Sequence, residues 1–553
     1  PFLIFGFGMF VVVYGYGRMF DTGLKTLFVQ ITIGAFLYCG ITCIYMYVTN
    51  DAFVVSTIQK LKMRKKGKSW LVDCNQLVYK RRNMKTVKKI LNSKYFMFTI
   101  TTIISFCFIY YYDLLQGLDA KETWKVIETF FSNEKHYSYV MYKGLYAFVP
   151  GIISYYVGEL FGISTFLILK MMHALSFAYL ATIGVPFLIK KLFNYEVKIY
   201  QIYLFSIVYW ILEFYVFIFL SVDFWSLLIL VLSINQLFKI KDDKSHKKYR
   251  PLILGIMLGI CSGLSGQYSI SALILITYFI YFIIKSNKNN FKILAITLII
   301  FSIGYTIIKI PDKIYENVVV ENGRKNGKYI PTGTQWLIHG LSANMLVINF
   351  PAELPDNLSM SIVANLGDEA MSVVKSGADY FTPDIYFKTF LHKPVEFIVK
   401  WTERLFLGLM NDPFSTHPIN NPYPLYTICF MAISIYLTYN YVREHAKKIK
   451  SYFGLNTCIF LTFLFPSLIA SFGHVEARYF LALRTLFIAS LVLSPIIPNI
   501  INKLKNKKNK GNVNYVVFET FAFVLICIIL FLALYQSQGV DSSNLFNYIK
   551  PRH

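Results

Sequence analysis

The sequence predicts an all-α polytopic membrane protein with about thirteen transmembrane helices, loop helices on the outer face and a small extracytoplasmic domain. Its 553 residues are 56% hydrophobic and only 15% charged, whereas roughly a quarter of a typical soluble chain is charged. The mean hydropathy is +0.49. In addition, apolar runs long enough to cross roughly 30 Å of hydrocarbon recur along the chain. Together these observations exclude an ordinary soluble domain.

The apolar runs give the predicted spans. They lie near residues 1–17, 26–48, 95–112, 164–189, 198–220, 222–238, 251–267, 269–285, 292–309, 424–441, 452–472, 479–500 and 515–536. Residues 143–161 are ambiguous, because the Pro150-Gly151 pair and Glu159 suit a re-entrant or interfacial helix as well as a full span.

The distribution of charge predicts the orientation. The net charge of +25 comes from short basic loops, such as 57–94 with thirteen Lys/Arg against the single Asp73, 239–250 and 502–512. Such loops are typical of the cytoplasmic side. Segment 310–423 has twelve acidic and nine basic residues, so we expect it outside the cytoplasm. Because the charge lies in topology loops, no nucleic-acid partner is expected.

Four regions follow from this pattern. Residues 1–94 form two N-terminal spans and a basic cytoplasmic loop, and 95–309 form a transmembrane core whose first outer loop, 113–161, is acidic. Residues 310–423 form an extracytoplasmic loop domain, and 424–553 form the C-terminal spans. The outer segment is far longer than an ordinary connection, which favours a functional role.

The acidic outer loop holds the first group of candidate site residues. A carboxylate can take the proton from an attacking hydroxyl or hold a divalent metal beside a phosphate leaving group. Asp119 and Glu122 would share one face of a helical turn. Asp119 could instead cap that helix, since Asp-Ala-Lys-Glu is a capping-box pattern. The candidates in this loop are Asp113, Asp119, Glu122, Tyr142 and Lys143.

A second group opens the helix near residue 479. A cation at a helix start can bind phosphate at the headgroup level, although a simple interfacial anchor is the alternative. The candidates in this group are His474, Glu476, Arg478 and Arg484. Lys170 is a further candidate for a lipid-phosphate contact, with a snorkelling lysine as the alternative. His339 of the outer segment sits among apolar neighbours and could line a cleft.

The order of these features resembles the GT-C superfamily of integral-membrane glycosyltransferases. The similarity is to its polyprenyl- or dolichyl-phosphate-sugar-dependent members, such as protein mannosyltransferases and aminoarabinose transferases. The motifs that carry it are Asp119/Glu122, then Tyr146–Pro150, Phe161-Gly162 and Lys170, and late in the chain Glu476-Ala-Arg478-Tyr479. Two departures are the separation of the acidic pair, which leaves Asp113 as an alternative base, and a lysine where the family commonly has arginine.

The resemblance implies a sugar donor linked to a polyprenyl phosphate and a glycan, lipid or protein acceptor at the outer face of a bacterial cell membrane. Asp119 would accept or orient the acceptor's proton. Lys170, Arg478 and His474 would neutralise the lipid phosphate. If a divalent metal such as Mg or Mn takes part, Asp119 and Glu122 would hold it. Membrane lipids are the remaining expected partners.

Two other classes stay open. A cell-surface polysaccharide polymerase or ligase shares the large outer segment, but tends to use outer-loop arginines, and this segment has only Arg324 and Arg404. A lipid or solute transporter would need charges along a membrane path, for which Glu213, Glu519 and Lys170 are the candidates. The sequence has no Walker A loop and no HExxH motif, which argues against a nucleotide-driven pump or a metalloprotease.

Overall fold

The computed structural model describes most of the chain from residue 93 to residue 536. The described residues are 93–115, 118–218, 220–242, 249–288, 290–328, 330–332, 352–353, 359–360, 391, 394–410, 425–449, 453–472, 477–505 and 510–536. Within these ranges nine continuous helical stretches are long and apolar enough to cross a membrane, and two further apolar helices are shorter. Three of the nine, Thr165–Phe193, Phe291–Lys325 and Arg478–Asn502, join consecutive helices. The predicted all-helical class of a multi-pass membrane protein is therefore confirmed.

The first half of the described chain forms ten helices. In order they are α1 (Lys94–Tyr110), α2 (Leu118–Glu128), α3 (Val149–Phe161), α4 (Thr165–Tyr179), α5 (Val185–Phe193), α6 (Ile199–Phe217), α7 (Val222–Asp242), α8 (Tyr249–Leu264), α9 (Gly266–Ser286) and α10 (Phe291–Ile314). Short 3₁₀ turns at Tyr139–Lys143 and Leu145–Ala147 precede α3, and the π-helical turn Leu180–Gly184 joins α4 to α5.

The remainder adds seven helices and one small pair of strands. The π-helical turn Tyr315–Val320 extends α10 into α11 (Glu321–Lys325). The strands β1 (Ala352–Glu353) and β2 (Ser359–Met360) pair antiparallel. Next come α12 (Pro394–Met410), α13 (Leu425–Ile449), α14 (Phe453–Phe472), the 3₁₀ turn Ala477–Phe480, α15 (Leu481–Leu493), α16 (Ile496–Lys505) and α17 (Lys510–Gln536).

Every apolar run predicted from residue 95 onward coincides with a helix. The two earlier predicted spans, 1–17 and 26–48, lie outside the described residues, as does most of segment 310–423. The ambiguous stretch 143–161 is resolved: α3 has 13 residues, and a helix of that length is about 20 Å long, too short to cross roughly 30 Å of hydrocarbon. Gly162 ends α3 in the left-handed conformation, with φ 64°, which gives the Phe161-Gly162 motif a local structural reason.

The chain divides into two compact units. One comprises Pro1–Ile100 and Ser206–Ile211, and its described residues from Lys94 onward are helical. The other comprises Thr101–Phe205 and Leu212–His553, and it holds every contact of the candidate site described below.

Within the larger unit, the ends of α5 and α7 lie together. Lys191 in the last turn of α5 pairs with Asp242 at the end of α7. Arg250, at the start of α8, donates to the carbonyl of Lys239. The C-terminal end of α7 therefore lies beside the last turn of α5 and the start of α8. The candidate site lies at the opposite end of α7, around Asp223.

Candidate functional site

Asp119 is the centre of the candidate site. It lies in the first turn of α2, where a negative charge is favoured by the helix dipole. Its Oδ2 accepts from Lys143 Nζ at 2.9 Å, and its Oδ1 accepts from the Tyr139 hydroxyl at 2.5 Å. Both partners come from the single 3₁₀ turn Tyr139–Lys143, which also carries the predicted candidate Tyr142. The turn thus presents two polar side chains, Tyr139 and Lys143, to one carboxylate.

Arg478 joins this group from the far end of the sequence. Its Nη2 lies 3.6 Å from Asp119 Oδ2, and its Nε lies 3.8 Å from Oδ2 of a second carboxylate, Asp223. The guanidinium also lies over the ring of Tyr479, 5.1 Å from its centroid. Ser221 Oγ donates to Asp223 at 3.1 Å and thereby fixes the buried carboxylate. We call Asp119, Lys143, Arg478 and Asp223 the charge cluster.

The partners of Asp119 keep it ionised. Burial disfavours the charged form of this carboxyl, but the neighbouring charges of Lys143 and Arg478 and the hydrogen bond from Tyr139 outweigh burial. The pKa of Asp119 is consequently well below its usual range. For the Tyr139 hydroxyl, burial and the adjacent Asp119 charge act together and raise its pKa far above the ordinary value. Asp119 is therefore a carboxylate and Tyr139 a neutral donor at physiological pH.

Glu122 has separate partners one helical turn further on. It accepts from His136 Nε2 at 2.9 Å and from Lys125 Nζ at 2.8 Å. Burial opposes its ionisation, but these hydrogen bonds prevail and lower the pKa of Glu122 to about 2. The carboxylate of Asp119 binds Tyr139 and Lys143 in the first turn of α2, and the residues that precede this helix lie outside the described ranges, so the capping-box interpretation stays a prediction.

The Lys143 turn is braced by α10. Asp312 Oδ1 accepts from the backbone N–H of Leu145 at 3.1 Å, and Asp312 is paired with Lys309 at 2.9 Å. Gly144 has φ 87°, and a Cβ there would lie 2.8 Å from the carbonyl oxygen of Gly263. Only glycine adopts this conformation in so little space without strain. The braced turn fixes where Lys143 points.

Two other predicted residues, Asp113 and Lys170, form a separate group. Asp113 Oδ1 accepts from the backbone N–H of Leu115 at 2.9 Å, which is a local turn. Lys170 Nζ donates to the carbonyl of Tyr110 at 2.7 Å, lies over the Tyr110 ring and is close enough to feel the charge of Asp113. These contacts fit an interfacial lysine better than a member of the charge cluster.

Arg484 has a role different from the predicted lipid-phosphate contact. Its side chain is fully buried, as is that of Glu213, and its Nε donates to Glu213 Oε1 at 2.7 Å. Its Nη1 donates to the carbonyl of Leu409 at 3.2 Å. A guanidinium held in this way connects three helices, α6, α12 and α15, inside the protein.

Three predicted site residues, His339, His474 and Glu476, lie outside the described residues. Sequence reasoning missed Tyr139 and Asp223. Asp223 falls within the predicted apolar run 222–238, and its signal is the Ser221-Val-Asp223 pattern at the start of that run. A serine and an acid at the start of a span indicate a polar helix start at the membrane boundary.

The described residues around Asp119 do not suit a divalent metal. Within the described ranges no group of three or more His, Cys, Asp and Glu side chains could hold a metal ion. Moreover, Asp119 adjoins two cations, Lys143 and Arg478, which would repel Mg or Mn. This donor set does not fit the metal that the resemblance allows.

Comparisons of this chain with models of protein families, with curated proteins and with solved structures find no match. The resemblance to lipid-phosphate-dependent glycosyltransferases therefore stays an expectation drawn from the sequence motifs alone.

Proposed function

We propose that this protein is a membrane glycosyltransferase. It moves a sugar from a polyprenyl-phosphate donor to an acceptor on the extracytoplasmic face, a cell-envelope glycan, lipid or protein. The observation that supports the proposal is the convergence of Asp119, Lys143 and Arg478, three residues that the sequence analysis names as candidates in two distant stretches. A carboxylate beside two cations is the combination that this transfer needs.

The proposed reaction is a displacement at the sugar's anomeric carbon. The acceptor's hydroxyl oxygen attacks that carbon, and the bond from the carbon to the donor's phosphate oxygen breaks. The hydroxyl proton passes to Asp119, and the polyprenyl phosphate leaves with one more negative charge. Asp119 is held as a carboxylate, the form that can orient the hydroxyl and accept its proton.

The two cations can stabilise the negative charge that develops on the leaving phosphate. Lys143 and Arg478 have side chains that are 14% and 10% exposed, so water screens their charges weakly. Fixed charges aimed at the place where negative charge develops commonly supply the largest share of catalysis. Asp223, which orients Arg478 from its other side, serves as a positioning residue.

Purified protein in lipid nanodiscs, supplied with a panel of radiolabelled polyprenyl-phosphate hexoses and pentoses, tests the proposal. Membrane extract from the source cells serves as acceptor, and release of polyprenyl phosphate is the readout. The wild type should consume at least one donor, and Asp119→Asn should reduce the rate on the order of 10²-fold or more. Glu134→Gln, which removes an exposed charge from the same outer loop, is the matched control.

Two outcomes would count against this assignment. Failure of the wild type to consume any donor in the panel would remove the transferase proposal. Full activity of Asp119→Asn would leave the reaction class standing but move the base to Asp113 or Glu122.

A further inference from the structure

The charge cluster is balanced within itself. Two cations, Lys143 and Arg478, meet two carboxylates, Asp119 and Asp223, so the formal charges of these four side chains cancel. A site that bound phosphate by excess positive charge would not engage its cations with acids in this way. A phosphate group that approaches the cluster must therefore compete with carboxylates for the same two cations.

We infer that Asp119 and the donor's phosphate compete for Lys143 and Arg478, so that phosphate binding releases Asp119 Oδ2 to the acceptor hydroxyl. The inference rests on the proposed function and adds a regulation to it. Lys143 and Arg478 pair with Asp119 until the donor's phosphate binds to these two cations instead. Acceptor activation then follows donor binding in a fixed order.

The geometry around Asp119 supports this exchange, because one oxygen carries both cation contacts. Oδ2 accepts from Lys143 at 2.9 Å and faces Arg478 at 3.6 Å, whereas Oδ1 is bound by the Tyr139 hydroxyl. Loss of the cations would thus release Oδ2 while Tyr139 keeps the carboxylate in place. Oδ2 would then remain in position to accept a hydrogen bond from the acceptor hydroxyl.

Arg478 is suited to a change of partner. Its contacts to Asp119 and Asp223 run through different nitrogens, at 3.6 and 3.8 Å, and both exceed the 2.7–2.9 Å that is typical of a charge-assisted hydrogen bond. Neither contact is the two-pronged fork that a guanidinium forms with phosphate. A phosphate can therefore offer Arg478 better geometry than either carboxylate does.

The decisive measurement is the affinity for a phosphate probe. Farnesyl phosphate is titrated into the full-length protein in zwitterionic lipid nanodiscs, for the wild type, Asp119→Asn, Asp223→Asn and Glu134→Gln. Competition predicts that Asp119→Asn binds the probe more tightly than the wild type, on the order of tenfold, since a paired anion has been removed. Asp223→Asn should tighten binding in the same direction, and Glu134→Gln should leave the affinity unchanged.

Opposite results would overturn the inference. If both Asp119→Asn and Asp223→Asn bind farnesyl phosphate more weakly than the wild type or equally well, the two carboxylates do not compete with the phosphate for the cations. If binding still needs Lys143 and Arg478 in that case, the proposed function survives without the competition. If no variant binds farnesyl phosphate, the inference and the proposed lipid-phosphate donor fall together.

Inorganic phosphate in a parallel titration separates a lipid-borne phosphate from a soluble one. Farnesyl phosphate should bind more tightly than inorganic phosphate in every variant, because its chain partitions into the bilayer beside the site. Tighter binding of inorganic phosphate would identify a soluble anion as the ligand and overturn the inference for a lipid donor. The melting temperature of each variant, measured alongside, verifies that it is folded.

Discussion

Arg484 and Glu213 form a fully buried ion pair between two apolar helices. Arg484 Nε donates to Glu213 Oε1 at 2.7 Å across 271 positions of sequence, and both side chains have no exposed surface. Charges inside a membrane span are costly and are kept where they have a structural or functional task. Arg478, a member of the charge cluster, lies less than two turns before Arg484. The pair therefore fixes α15 just below the proposed site.

Breaking this pair should destabilise the protein strongly. Glu213→Gln leaves the Arg484 charge buried with a neutral partner, which we expect to lower the free energy of unfolding by about 3–5 kcal/mol. The measurement is denaturant unfolding in detergent micelles. A double variant, Glu213→Leu with Arg484→Met, should recover most of the loss because both buried charges are gone. Wild-type stability of Glu213→Gln would contradict the structural role of the pair.

The Gly144 turn gives a second prediction. Gly144→Ala should reduce both stability and transfer activity, because φ 87° is strained for alanine and its Cβ would approach the Gly263 carbonyl oxygen to 2.8 Å. Strain of this kind costs about 1–3 kcal/mol. Gly162→Ala is the matched control: Gly162 also has positive φ, 64°, but a Cβ there meets nothing within 4 Å.

Melting temperatures and transfer rates of the two variants are then compared. We expect the activity loss only in Gly144→Ala, because only that turn aims Lys143 at Asp119. Equal losses in both variants would show that backbone strain, and not the position of Lys143, is responsible.

The sequence could predict the helices and the two stretches that form the site, because each of these leaves a local signal. Apolar length marks a span, Asp119 stands out in an acidic outer loop, and Arg478 stands out at the start of a span. Which span lies beside which is not encoded in hydropathy, since lipid tolerates any lateral order of apolar helices. For that reason the Asp223 contact with Arg478 and the burial of Arg484 against Glu213 could not be predicted.

The acidic loop should lose stability at low pH through Glu122. Its pKa is about 2 in the folded protein, below the ordinary value of 4.5, so its contribution is complete above pH 4.5. That contribution is lost as the pH falls from 4.5 towards 2. The difference in melting temperature between the wild type and Glu122→Gln should therefore be largest near pH 5 and shrink towards zero near pH 2. A difference that does not change with pH would contradict the proposed ionisation.

Arg478 should be intolerant even of lysine. Arg478→Lys keeps the positive charge but replaces a planar guanidinium, which reaches Asp119 and Asp223 through separate nitrogens, by a single ammonium. We expect kcat for sugar transfer to fall on the order of 10²-fold, the usual loss when one fixed charge donor is removed from a transition state. Tyr479→Phe is the control, since it keeps the ring under the guanidinium and removes only the hydroxyl that Arg478 Nη2 approaches at 3.3 Å. That variant should remain within a few-fold of the wild type. If Arg478→Lys is fully active, only the positive charge at this position matters. That result would favour the interfacial-anchor interpretation of the segment that begins at His474.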